Sequence, residues 1–147
     1  MGNRYCRRPG KFYTEQVEQI LALIKRNFKD TGIDINKYLA LCEQLGEEPD
    51  PEKMPVDRAA FPLEVQEAYV LHDFLAERWD GASGYYLGKD YSALDTYIKH
   101  LEITDPKISL WFLKHIEHYN SQLINEKQKK RRKAQEQKAK LRAKHKK

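Results

Sequence analysis

The sequence predicts an all-α fold of about five helices in one small domain, with the last helix running on into a basic tail. Three observations predict it. Apolar residues recur at three- and four-residue spacing in successive stretches, as the faces of amphipathic helices do. Helix start and stop signals stand between those stretches: Asp34, Gly46 and the pair Asp105-Pro106. No stretch carries a strand signal, an internal repeat or a sustained heptad. With 147 residues, 40% of them apolar, the chain suits one cored domain rather than two.

The first 13 residues are basic and contain Pro9-Gly10, which predicts a flexible lead-in. From Thr14, the residues Val17, Ile20, Leu21, Ile24 and Phe28 share one helical face, and Thr31-Gly32 ends that helix. Asp34 caps a second helix with Ile35, Tyr38, Leu39, Cys42 and Leu45 as its stripe and Gly46 as a left-handed stop. The first two helices are expected to form a hairpin. Pro49, Pro51, Pro55 and Pro62 then predict an extended connection, with Met54, Val56 and Phe61 pinning it to the core. Pro62 suits the first turn of a third helix, whose face would be Val65, Ala68, Tyr69, His72, Leu75, Ala76 and Trp79. Residues 80–90, with three glycines around two tyrosines, break that pattern. A short helix follows from about Tyr91 to Leu101.

Asp105-Pro106 is the clearest helix start in the chain. Ile108, Trp111, Phe112, His115, Ile116, Tyr119 and Leu123 form the buried face of this last helix. No proline or glycine follows Lys107, so it is predicted to overrun the body, rooted by Trp111, Phe112 and Tyr119 and fraying toward Lys147. The domain expectations are therefore residues 1–13 as lead-in, 14–126 as helical body and 127–147 as basic extension.

The net charge of +5 conceals a strong asymmetry. Residues 127–147 hold 12 Lys or Arg and one acid, Glu136, whereas the other 126 residues hold 15 basic and 21 acidic residues. A basic arm on an acidic body predicts a polyanionic partner, and also allows the arm to fold back on the body at low salt. The expected polyanion contacts are Lys127, Lys129, Lys130, Arg131, Arg132, Lys133, Lys138, Lys140 and Arg142. The tail has no aromatic residue on which a base could stack. Tyr85, Tyr86 and Tyr91 are expected to form a surface for a protein partner, because tyrosine covers large area and keeps a polar tip.

Catalytic and cofactor chemistry find little footing. GASGYYLGKD fails as a phosphate-binding loop, with Ser83 where glycine is needed and Asp90 where Ser or Thr is needed. His115, Glu117 and His118 lie close together on one helix, but no second cluster completes a zinc set, and no metal or cofactor is expected. His72 reads as a hydrogen-bonded core residue. No nucleophile-base pairing stands out, so an enzyme is not expected. Cys6 and Cys42 do not suggest a disulfide framework, no apolar run is long enough for a membrane span, and a reducing, cytoplasmic location is expected. Met1-Gly2-Asn3-Arg4-Tyr5-Cys6 is similar to an acylation signal, with Cys6 where Ser or Thr is preferred.

The runs LGEEPDPEKMP, FPLEVQEAYVLHDFL and RWDGASGYYLGKDYSAL, covering roughly Leu45 to Leu94, resemble short helical proteins of tailed bacteriophages, among them small assembly chaperones. The resemblance implies a virus-encoded accessory role, in host cytoplasm or with the virion, and carries over no functional residue. Two functions are then expected as alternatives. One is a non-enzymatic adaptor or assembly factor that binds a protein through its body and a polyanionic surface through its tail. The other is a nucleic-acid-binding accessory protein whose tail makes sequence-nonspecific contact with DNA or RNA.

Overall fold

The computed structural model describes residues 14–29 and 34–144. Five α-helices, a 3-10 turn and one short two-stranded sheet follow in the order α1 (Thr14–Lys29), α2 (Ile35–Leu45), the 3-10 turn (Arg58–Ala60), α3 (Leu63–Phe74), β1 (Glu77–Trp79), β2 (Tyr86–Lys89), α4 (Leu94–His100) and α5 (Pro106–Lys144). The expected all-α class holds in its main lines, since 69% of the described residues are helical. The predicted lead-in, the Thr31-Gly32 stop and residues 145–147 lie outside the described residues.

The core forms where α3 and α1 both pack on the first half of α5. Ile20 and Ile24 of α1 meet Val65, Ala68, Leu71 and Leu75 around α3 and Ile108, Phe112, Leu113 and Ile116 of α5. Because α5 is covered by two helices, Ser109 and Leu113 are buried beside the stripe expected from periodicity. Burial of each such large apolar side chain contributes roughly 1.5–3 kcal/mol before the cost of ordering it. Glu67 of α3 closes the far end, accepting hydrogen bonds from the Thr104 N–H at 2.9 Å, the Thr104 hydroxyl at 2.7 Å and the Ser109 hydroxyl at 2.9 Å.

The caps of α2 form as expected. The Asp34 carboxylate accepts from the Lys37 N–H, and Gly46 takes a left-handed φ of 68° with the Glu47 N–H returning to the Cys42 carbonyl. The stripe of α2 does not bury as expected: only Cys42 is buried, while Leu39 and Leu45 are exposed. The expected α1–α2 hairpin gives way to packing of α1 on α5. The reason lies in Arg26 and Tyr38, which engage the proline-rich segment instead. One guanidinium nitrogen of Arg26 donates to the Pro51, Glu52 and Met54 carbonyls at 2.8, 2.6 and 2.6 Å. The Tyr38 hydroxyl accepts from the Asp50 N–H at 3.1 Å. That segment is consequently turned rather than extended, with Asp50 and Asp57 each capping a turn, and only Phe61 of its three expected anchors is fully buried.

The largest departure follows α3. Helical phase places Ala76 and Trp79 on its buried face, but the helix ends at Phe74, and Trp79 is exposed in β1. Leu75 turns extended (φ −70°, ψ 131°), and the freed backbone pairs with the glycine-tyrosine segment. Glu77 faces Lys89 and Trp79 faces Tyr86 in an antiparallel ladder, and the Asp90 N–H donates to the Ala76 carbonyl at 2.8 Å. Tyrosine and tryptophan favour a pleated surface, and Asp80 closes the tip by accepting from the Ala82 and Ser83 N–H groups.

Candidate polyanion interface

α5 is one unbroken helix of 39 residues. At 1.5 Å per residue, its stretch beyond Arg132 projects about 18 Å. Lys127, Lys129, Lys130, Arg131, Lys133, Lys138, Lys140 and Arg142 all stand exposed on it. Helical spacing sorts most of them into two rows, one with Lys127, Arg131, Lys138 and Arg142 and the other with Lys129, Lys133 and Lys140. The side chains past Arg132 are exposed through Ala143, so the arm does not lie back on the acidic body.

Arg132 is the exception among the nine expected contacts. Its guanidinium donates to the Ser83 carbonyl at 2.6 Å and stands over the Tyr85 ring, 4.2 Å from the centroid. Gln128, one turn earlier, donates to the Gly84 carbonyl at 2.9 Å. The tip of the β-hairpin is thus clasped to the root of the arm, and the body reaches past the expected boundary at residue 127. In the sequence, hairpin and arm are unrelated features more than 40 residues apart, and nothing local signals their meeting.

The other end of the hairpin is held by a buried polar cluster. Glu117 of α5 lies 2.7 Å from His72 Nε2 through Oε2, while its Oε1 accepts from the Tyr86 hydroxyl at 3.0 Å and the Ser121 hydroxyl at 2.8 Å. Asn120 donates to the Tyr86 oxygen at 3.2 Å, and Lys89 Nζ, itself buried, donates to the Leu75 carbonyl at 3.1 Å. In a regular strand Tyr86 and Lys89 would face opposite sides. The register shift opposite Arg78 and Trp79 inserts a bulge, and both then turn inward. Gly88 makes this possible with φ at 99°; a Cβ there would meet Glu117 Oε1 at 3.4 Å. Replacing Gly88 by Ala should therefore lower stability by about 1–2 kcal/mol, read as a shift of the urea midpoint.

The cluster bears on three readings. His72 is a hydrogen-bonded core residue as expected. Tyr86 is buried, at 6% exposure, so it leaves the expected partner surface, whereas Tyr85 and Tyr91 remain exposed at 50% and 44%. Glu117 faces His72 and Tyr86, while His115 packs against Trp111 with ring centroids 4.2 Å apart. Burial raises the Glu117 carboxyl, but the hydrogen bonds from His72, Ser121 and Tyr86 outweigh it and hold the group below its usual range. The Tyr86 phenol is pushed up, first by burial and then by its bond to Glu117. The His115 imidazole is pushed down by burial, then by His118 and Lys114.

Among the described residues no group of three or more His, Cys, Asp or Glu side chains is placed to hold a metal ion. No described helix is long and apolar enough to cross a membrane, and Cys42 is a buried free thiol. Comparison of the chain with protein-family models, with curated proteins and with solved structures finds no match. The functional reading therefore rests on the geometry of the arm and hairpin.

Proposed function

We propose that this protein is a non-catalytic nucleic-acid-binding accessory protein that grips phosphate backbones, without sequence preference, through the arm of α5. The observation that carries the reading is the union of charge and mounting. Eight exposed cations stand on a helix whose first half is embedded in the core and whose root is clasped by the hairpin. A solvated tail that served only solubility would need no such clasp. The acidic body repels the same phosphates, which confines contact to the arm. The non-catalytic side of the reading is supported by the buried His72, Glu117 and Tyr86 groups, whose hydrogen bonds are spent on one another.

Neutralising six to ten phosphates makes affinity fall by about 10³–10⁵-fold between 50 and 200 mM salt. Anisotropy titration of the full chain with generic labelled oligonucleotides should show that steep fall. Binding that is absent at low salt, or that does not vary with salt, overturns the reading.

The adaptor reading keeps one supporting observation. Leu63, Val70 and Phe74 are exposed on one side of α3, well suited to a protein partner. It predicts that Val70→Asp, and not loss of the arm, abolishes capture of that partner from the native cell.

A further inference from the structure

The tail has no aromatic residue, which argues against grip on unpaired bases, yet the fold supplies one from elsewhere in the chain. Tyr85 sits at the hairpin tip with the Arg132 guanidinium 4.2 Å from its ring centroid, and half of its surface is open. Its backbone is committed: the Tyr85 carbonyl accepts from the Asp80 N–H at 2.8 Å, and its N–H donates to the Ser83 hydroxyl at 3.3 Å. The Ser83 and Gly84 carbonyls are held by Arg132 and Gln128. The ring is therefore a fixed plate, with a cation behind it, at the point where the rows of lysine and arginine leave the body.

The geometry points to a single-stranded nucleic acid as the ligand, with one base stacked on the free side of Tyr85 and the adjoining phosphates led along the arm. This rests on the polyanion reading above and narrows it. Affinity for single strands comes from a basic track combined with aromatic plates, and stacking is tolerant of sequence because every base has a flat face. In a duplex those faces are covered by neighbouring bases, so Tyr85 adds nothing to duplex binding. Arg132 behind the ring strengthens the plate, since a cation over a tyrosine face is attracted to it. Single-stranded DNA and RNA share this chemistry.

The test compares the full chain with Tyr85→Ala and Tyr85→Phe, titrated against labelled oligo(dT), oligo(rU) and a duplex of equal length. Tyr85→Ala should lose about ten- to hundredfold affinity for a single strand, the size of one base stack, with the salt slope unchanged because no charge is removed. Tyr85→Phe should bind as the parent does, and duplex affinity should stay constant in all three. A response in only one of the two single strands supports the inference and assigns DNA or RNA. If Tyr85→Ala leaves single-strand binding intact, or weakens strand and duplex alike, the inference is overturned while the polyanion reading stands. If the parent binds none of the three, the polyanion reading itself falls. Far-UV circular dichroism verifies that each variant is folded.

Discussion

Replacing Glu117 by Ala is expected to cost about 3 kcal/mol or more of folding stability, measured as the shift in urea midpoint at neutral pH. The size follows from what the carboxylate holds. It is 9% exposed and takes hydrogen bonds from the Tyr86 and Ser121 hydroxyls, with His72 Nε2 at 2.7 Å. Its loss leaves the buried Tyr86 hydroxyl, the half-buried Ser121 hydroxyl and the buried His72 imidazole each short of a partner, and opens a cavity between α3, α5 and β2. A domain of this size is stable by about 5–15 kcal/mol, so the variant sits near its threshold. Tyr86→Phe, which removes one of those bonds and keeps the ring, should cost only about 1 kcal/mol. Acid should erase much of the difference between parent and Glu117→Ala. The folded-state pKa of Glu117 is depressed, so its contribution is full above the ordinary carboxylate range and is lost as pH falls through and below it. A gap between the two proteins that persisted unchanged at pH 2 would contradict the assignment of Glu117 as an ionised hub.

Removing residues 133–147 is expected to reduce nucleic-acid affinity by about 10³-fold or more while leaving the body folded. The truncation takes Lys133, Lys138, Lys140 and Arg142 from the proposed set of phosphate contacts, and leaves the clasp of Arg132 on Ser83 and Tyr85 in place. Each phosphate no longer neutralised lowers the slope of log affinity against log salt by about 0.7 for single strands and 0.9 for duplex. The truncated chain should therefore show a slope flatter by about 3 units or more. None of the described residues in that segment belongs to the core, so the urea midpoint should move little. Affinity retained after truncation would transfer the binding to Lys127, Lys129, Lys130 and Arg131 at the root.

Much of the helical frame is legible in the sequence, because helix caps and three-four spacing are local signals. Asp34, Gly46 and Asp105-Pro106 each mark an observed boundary, and the overrun of α5 follows from the absence of any breaker after Lys107. The failures are non-local. Leu39 and Leu45 have the spacing of a buried stripe, but Arg26 and Tyr38 commit their neighbourhood to the proline-rich segment, and no element covers the stripe fully. Trp79 fits the phase of α3 and lies in a strand, because pairing with Tyr86 and Lys89 satisfies the backbone that the helix gives up. Tyr85 and Tyr86 each favour a strand, but two such residues between glycines do not amount to a strand signal. The candidate interface is legible in half: composition supplies the cations, and only the fold brings Tyr85 to them.

The joint interface of arm and hairpin is most sharply tested by titrating the isotope-labelled full chain with oligo(dT) and following its backbone amide NMR signals residue by residue. Shifts should be confined to the hairpin tip around Ser83–Tyr85 and to α5 from Lys127 onward, with Leu63–Phe74 and Leu94–His100 unmoved. Shifts centred on the exposed side of α3, with the arm unaffected, would contradict such an interface.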